Sequence, residues 1–338
     1  MLHLLQIKTE IQNGLHTLLK GNCAETCYHK DARLWGSHPF NELHGVDQIN
    51  NLWEILLKCF PDMERRDSIF VGGYNLSDER NQRDITGQLM IASICHYQGT
   101  FRESLFGIPP THGVIHLRSS EAHTIVDGKI VHSYMLFDFL DLMRQAGCWP
   151  LVPSLGSEGF WMAPAIMNGV TEDFNGALAG NEAIKLVLRM HAALHEFDGN
   201  DIESMPMDEY WTENFQYYAA SGIGTTRGLK GFRAHHQIPF LTGFPDRKGH
   251  SHYIRIGDGN IAVTGGWPSV GGTHLGEWLG LPPTGKYITM RVMDFYRINN
   301  GRIAENWVPI DIIHCLLQMG FDVFSRLKHL QGKPKLYL

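Results

Sequence analysis

No stretch of this sequence approaches the roughly 20 consecutive apolar residues that a membrane-spanning helix needs, so no membrane partner is expected. Basic residues are also sparse. The 29 Lys and Arg against 35 Asp and Glu leave a net charge of -6, and no Lys/Arg block breaks that balance. The electrostatic footprint of a nucleic-acid binder is therefore missing. Cysteines number only six, Cys23, Cys27, Cys59, Cys95, Cys148 and Cys315, with neither a CxxC pair nor repeated spacing. That scatter excludes a disulfide framework or a structural zinc set and suits reduced thiols. Lys8 and Glu10 follow Met1 to Ile7 too closely for a signal-peptide core. Together these absences point to a cytoplasmic protein.

What is present is a repeat. The segment Gly107 to Gly147 lies without a gap on Gly280 to Gly320, at a constant offset of 173 residues. Pro109/Pro282, Pro110/Pro283, Thr111/Thr284, Arg118/Arg291, Gly128/Gly301, Asp138/Asp311 and Gly147/Gly320 are identical pairs. Upstream, Phe60-Pro61-Asp62 recurs as Phe244-Pro245-Asp246 at a slightly different offset. A chain of 338 residues with 43% hydrophobic content suits two domains with cores of their own. We expect domains over 1–147 and 181–330, joined by a connector over 148–180. Its Pro150, Pro153 and Pro164 mark it as a connector, and its Trp149, Phe160 and Trp161 would pack on a domain or lie over a pocket.

Within each copy helices come first and strands follow. Ile184, Val187, Leu188 and Ala192 at helical spacing predict a helix over 181–197, with Asn181 as its N-cap. Residues 2–19 repeat the pattern less cleanly, and third helices are expected over 46–59 and 229–241. Tyr287 to Ile298 and Ile303 to Ile310 read as strands flanking Asn299-Asn300-Gly301, a hairpin turn whose counterpart is Asp127-Gly128. The expected fold is α+β: two tandem cone-shaped barrels, each with N-terminal helices packed on a curved antiparallel sheet that leaves a cavity open at one end.

Residues 271–320 contain a Thr-His-x-Gly-Glu stretch, a GLPPTGK turn, a strand with Arg291, the hairpin, and a Trp307 strand ending in Asp311 before a short Leu/Gln helix. In this series of motifs the chain resembles the SnoaL-like polyketide cyclase family. The resemblance implies a nuclear transport factor 2-like fold and ring closure by intramolecular aldol condensation, using a pocket Asp and neither metal nor cofactor. Carried over residue by residue, the family Asp is Asp311, with Asp138 its first-copy equivalent, and the family His is His274, where the first copy has Phe101. The altered first copy makes the second the better candidate for catalysis. The resemblance also implies sheet-to-sheet pairing of the two domains within one chain, with further homo-oligomerisation an open possibility.

The residues themselves fit such chemistry. A carboxylate in an apolar pocket has its pKa raised toward neutrality, and Asp311 follows Trp307, Val308, Pro309 and Ile310. Strand alternation sets Glu305, Trp307, Pro309 and Asp311 on one face, repeated as His132, Tyr134, Leu136 and Asp138. N-capping of the helix that follows is the competing role for either Asp. His274 could bond a substrate carbonyl or orient Asp311. Arg291 could touch ligand or pair with a carboxylate such as Asp294. Tyr217, in an aromatic cluster with Tyr210, Trp211, Phe215 and Tyr218, suits a flat hydrophobic substrate or a core. The adjacent His235 and His236 cannot both face one metal in a regular segment, so no metal is expected. Hydrolysis or dehydration, or ligand binding without catalysis, are the alternatives to cyclisation on such a fold.

Overall fold

In the computed structural model, which describes residues 2–21, 23–80, 85–165 and 176–332, both hairpins close as two-residue loops. Asp127 and Gly128 have φ of 49° and 72°, and Asn300 and Gly301 have 49° and 75°. Positive φ at both positions is the type I′ geometry whose twist matches the flanking strands. The loops join Val126 to Lys129 and Asn299 to Arg302.

The first domain comprises α1 (Leu2–Leu18), β1 (Tyr28–Gly36), β2 (Glu42–His44), α2 (Gly45–Cys59), β3 (Glu64–Tyr74), β4 (Leu89–Thr100), β5 (Val114–Val126), β6 (Lys129–Phe137) and α3 (Phe139–Gln145). Its sheet runs β2-β1-β6-β5-β4-β3. The second domain repeats this plan. It has α4 (Gly176–Leu194), α5 (Met207–Tyr210), β7 (Trp211–Ala219), β8 (Thr226–Arg227), α6 (Gly228–Phe232), a π-helical turn (Arg233–Gln237) and α7 (Ile238–Gly243). There follow β9 (Lys248–Gly249), β10 (Ile254–Asp258), β11 (Ile261–Thr273), β12 (Tyr287–Asn299), β13 (Arg302–Val308), α8 (Ile312–Met319) and α9 (Val323–Leu330). The sheet order is β10-β11-β12-β13-β7-β8, with β9 paired to β11.

The α+β class is as expected, but the sheets are mixed rather than wholly antiparallel. In each domain the first strand lies parallel to the last, β1 beside β6 and β7 beside β13. The chain leaves the first strand through a helix, builds a meander, and returns alongside it in the same direction. Helix α4 begins at Gly176, so Asn181 falls inside it instead of capping it. The helix can approach the sheet here because Gly180 meets Gly257 backbone to backbone; a Cβ on Gly180 would stand 2.3 Å from the Gly257 carbonyl oxygen.

One local difference between the copies matters below. Gly45 and Gly228, with φ of 76° and 62°, open equivalent helices that end before Phe60 and Phe244. The second copy fits one more residue into this span, and the π turn absorbs it. Such turns re-aim side chains inside a helix.

The inner face of each sheet packs on its own helices, while the outer faces pack on each other. Trp35, Val71, Met90, Ile94 and Tyr134 of the first domain share a buried cluster with Tyr253, Ile256, Met293, Phe295 and Trp307 of the second. Full burial of such side chains contributes roughly 1.5–3 kcal/mol each. A buried ion pair, Lys8 Nζ to Asp258 Oδ2 at 2.6 Å, also crosses this junction. The connector as far as residue 165 touches both domains, with Trp161 beneath the guanidinium of the first domain's Arg118 at 5.0 Å and Phe160 stacked on Tyr218 of the second. Residues 166–175 of the expected connector lie outside the described residues. No helix among the described residues is long and apolar enough to cross a membrane.

Candidate functional site

Strand alternation sends two different sets of side chains to the two faces of the second sheet. Met293, Phe295 and Trp307 face the first domain. Met290, Val292, Asp294 and Tyr296 of β12, with Asn306 and Val308 of β13, instead line a cavity of about 1320 Å³ between the sheet and its helices. Apolar walls come from Leu188, Met190, Met205, Met207, Trp211, Phe240 and Trp278. Polar groups converge at one place in this apolar space.

Asp294 is the centre of that group. Part of its surface opens to the cavity, and protein surrounds the rest. Desolvation pushes its carboxyl up to about 7, against the opposing hydrogen bonds from Tyr296 and Asn306. The Tyr296 hydroxyl lies 3.0 Å from His191 Nε2, and the Tyr217 hydroxyl 2.8 Å from His236 Nε2. Burial lowers His191 to about 3 and His236 to about 4, which makes both imidazoles neutral at pH 7. Burial, reinforced by the nearby Asp294, drives the Tyr217 phenol far above its ordinary range. The π turn is what brings His236 against Tyr217, with ring centroids 4.7 Å apart.

The SnoaL-like polyketide cyclase family model matches residues 87–146 and 185–319, more than half of the chain and part of each domain. The chain belongs to the SnoaL-like polyketide cyclase family. No curated protein matches it. Among solved structures, IdmH of Streptomyces antibioticus, a proposed polyketide cyclase, is 19% identical, covering 41% of this chain and 98% of its own, with a TM-score of 0.34. An NTF2-like protein of unknown function from Burkholderia pseudomallei is 16% identical over 41% of this chain and 93% of its own, with a TM-score of 0.29. A protein with a ketosteroid isomerase-like fold from Catenulispora acidiphila, solved with trimethylamine, is 9% identical over 40% of this chain and 92% of its own, also at 0.29.

The two SnoaL-like domains differ at the position that matters most. The 173-residue offset makes Glu121 the counterpart of Asp294. Glu121 is fully buried and bound to Arg65 Nη1 at 2.7 Å, while the Tyr97 hydroxyl donates to it at 2.7 Å and Ser119 at 2.9 Å. Arg65 also reaches Asp67 at 2.8 Å and Ser93 at 2.7 Å. Its guanidinium holds the Glu121 carboxyl well below the usual range in spite of burial. Arg65 thus occupies the space beside Glu121 that lies open beside Asp294.

The residues singled out from the SnoaL-like motifs are not gathered in the cavity. Asp311 N-caps α8, its Oδ1 accepting from the His314 amide at 3.1 Å. Its Oδ2 accepts from Arg291 at 3.0 Å and from the first domain's His38 amide at 2.9 Å. Asp138 matches it across the pseudo-symmetric junction, capping α3 through Asp141 and accepting from the Ser221 amide at 3.1 Å. Arg291 binds Asn41 as well and lies over Trp267. Trp307 is fully buried against Tyr218 and donates to the Met162 carbonyl at 2.8 Å; Glu305 pairs with Arg297. Tyr134 stacks on Tyr253 at 3.6 Å, and His132 rests edge-on against Trp35. His274 is wholly buried, stacked on Phe244 and bonded to Thr284. Of the set, Tyr217 lines the cavity. Among the described residues no group of three or more His, Cys, Asp or Glu is placed to hold a metal ion.

From sequence, Asp294 reads only as an ion-pair partner for Arg291. A signal for it exists, since Asp is depleted in strand interiors and this one sits in the middle of a 13-residue strand, between Met293 and Phe295.

Proposed function

We propose that the second domain is an acid/base catalyst for an apolar, polyketide-like carbonyl compound, with Asp294 as the group that takes and returns the proton. The observation that carries this is an open cavity holding a carboxyl whose pKa is about 7, close to where a general base at neutral pH works best. In the first half-reaction the Asp294 carboxylate takes a proton from the carbon beside a ketone. The C–H bond breaks, the Asp O–H bond forms, and the electron pair moves to the carbonyl oxygen as an enolate. With the proton of neutral His236 on Nε2 and donated to the Tyr217 oxygen, the Tyr217 hydroxyl is free to donate to that enolate. In the second, the enolate carbon attacks another carbonyl of the same molecule, and the proton on Asp294 passes to the alkoxide formed. Proton and charge are both restored.

The first domain is assigned a noncatalytic role on a separate observation, the Arg65–Glu121 ion pair in place of an open carboxyl. The test is α-proton exchange and cyclisation of aromatic polyketide esters and steroid-like ketones, followed by mass, in the parent protein and Asp294→Asn. A drop of about 10²-fold or more in Asp294→Asn, with binding retained, is expected for loss of a general base. Unchanged exchange in the variant would overturn the assignment.

A further inference from the structure

Among the described residues, the partly exposed Arg80, Arg247 and Arg255 bring three guanidinium groups to the lining of the cavity at its mouth. Arg80 belongs to the first domain, so the site is completed by the other half of the chain. Arg80 and Arg255 both bind one carboxylate, Asp78, at 3.0 and 2.8 Å. Asp78 also accepts from the His252 amide at 2.8 Å, and Arg80, Arg255 and Asp78 together carry one net positive charge with no further carboxylate paired to them among the described residues.

Arg247 has no carboxylate partner among the described residues. Its guanidinium lies 5.3 Å from the centre of the Phe197 ring, and burial lowers its pKa. The neighbouring acids are committed elsewhere. Asp246 binds the Thr273 amide and hydroxyl, Asp198 accepts from the amides of Asn200 and Asp201, and Asp201 accepts from Glu203. A half-buried cation with no counter-ion loses hydration without gaining a partner, whereas a planar guanidinium is well matched to a bidentate carboxylate. Gly249, also at the mouth, leaves the approach clear: a Cβ there would stand 3.3 Å from Arg80 Nη1.

We infer that the substrate carries an anionic group, a carboxylate by preference, held at the mouth by Arg247 and Arg80 while its carbonyl reaches inward toward Asp294. This rests on the acid/base reading of the same cavity and narrows its substrate class to apolar keto acids. An ester of the same body forgoes the charge-assisted contact.

The probes are naphthoylpropionate, an aryl keto acid, and its methyl ester, titrated by calorimetry at low and high salt. The acid is expected to bind roughly tenfold tighter, the scale of one charge-assisted pair, with the preference shrinking in high salt. Arg247→Met should cut that preference to below about threefold while leaving ester affinity within about twofold, since it removes charge and keeps most of the stem. Arg247→Lys should retain part of it, and an unchanged melting temperature confirms that both variants fold. Equal affinities for acid and ester in the parent, binding of neither, or a full preference in Arg247→Met would overturn the inference. Asp294→Asn separates the two readings. If it keeps the acid preference and its normal exchange rate, the acid/base assignment fails alone; if the parent lacks the preference but Asp294→Asn loses exchange, the anion site fails alone.

Discussion

Arg65 and Gly249 occupy the same place in the two sheets. Arg65 pairs with Tyr97 across β3 and β4, and Gly249 with Val270 across β9 and β11; Tyr97 and Val270 are themselves related by the 173-residue offset. Each also stands five residues beyond the Phe of a Phe-Pro-Asp step. This replacement, with Glu121/Asp294, Tyr97/Val270 and Ser119/Val292, separates a sealed carboxylate from an open one.

Arg65→Met should destabilise the protein by about 3–5 kcal/mol, because it leaves Glu121 charged and buried without its partner. Adding Glu121→Gln should recover most of the loss. Urea denaturation of the parent, single and double variants measures both steps.

The Asp294 carboxyl, raised from 3.8 to about 7, makes opposite predictions for rate and stability. Catalysis needs the deprotonated form, so the exchange rate should climb with pH and level off above about 7. The folded protein holds this proton more tightly than the unfolded chain does. Its stabilising contribution is complete below the unfolded pKa and is lost as pH rises toward 7, with a slope of about 1.4 kcal/mol for each step of one in pH. Asp294→Asn should abolish that slope and be more stable than the parent at alkaline pH. Chemical denaturation and initial rates across the range test the pair.

Asp311→Ala should act on folding and not on chemistry. It removes a helix cap, worth about 1 kcal/mol, and leaves the Arg291 guanidinium unpaired at the domain junction, for a combined loss of about 3 kcal/mol or more. The melting temperature should fall while turnover per folded molecule is kept. Loss of turnover at full stability would return Asp311 to the catalytic role suggested by the family motif.

Tyr217→Phe should lower turnover about 10- to 100-fold by removing a hydroxyl aimed at the developing oxyanion. Stability should change by no more than about 1.5 kcal/mol, the net worth of one hydrogen bond. His236→Gln, which can still donate to the Tyr217 oxygen, should retain more activity than His236→Leu.

Much of the architecture can be read from residues alone. Asp127-Gly128 and Asn300-Gly301 specify their turns, and Pro109, Gly128 and Gly147 recur 173 residues later. The alternation of Glu305, Trp307 and Asp311 against Asn306 and Val308 is also legible. Which face meets the cavity is not, because a sheet buried on both sides shows apolar residues on each. The aromatic face of Trp307 and Tyr134 packs against a second domain, whereas the face with Asp294 and Tyr296 holds the polar groups. His236 is hidden by the π turn, whose one-residue excess changes the direction of a side chain without altering the apolar pattern. Arg80 reaches the mouth from the other half of the chain, and no spacing within either repeat reveals that.

Pairing the two sheets inside one polypeptide has an evolutionary consequence. Where identical subunits assemble about a two-fold axis, every substitution appears twice, and an arginine that closed one cavity would close both. Here the halves are free to diverge: one holds its buried carboxylate in an internal ion pair and lends Arg80 to its sibling's doorway. Dilution cannot part them either, since a covalent tether makes their association intramolecular.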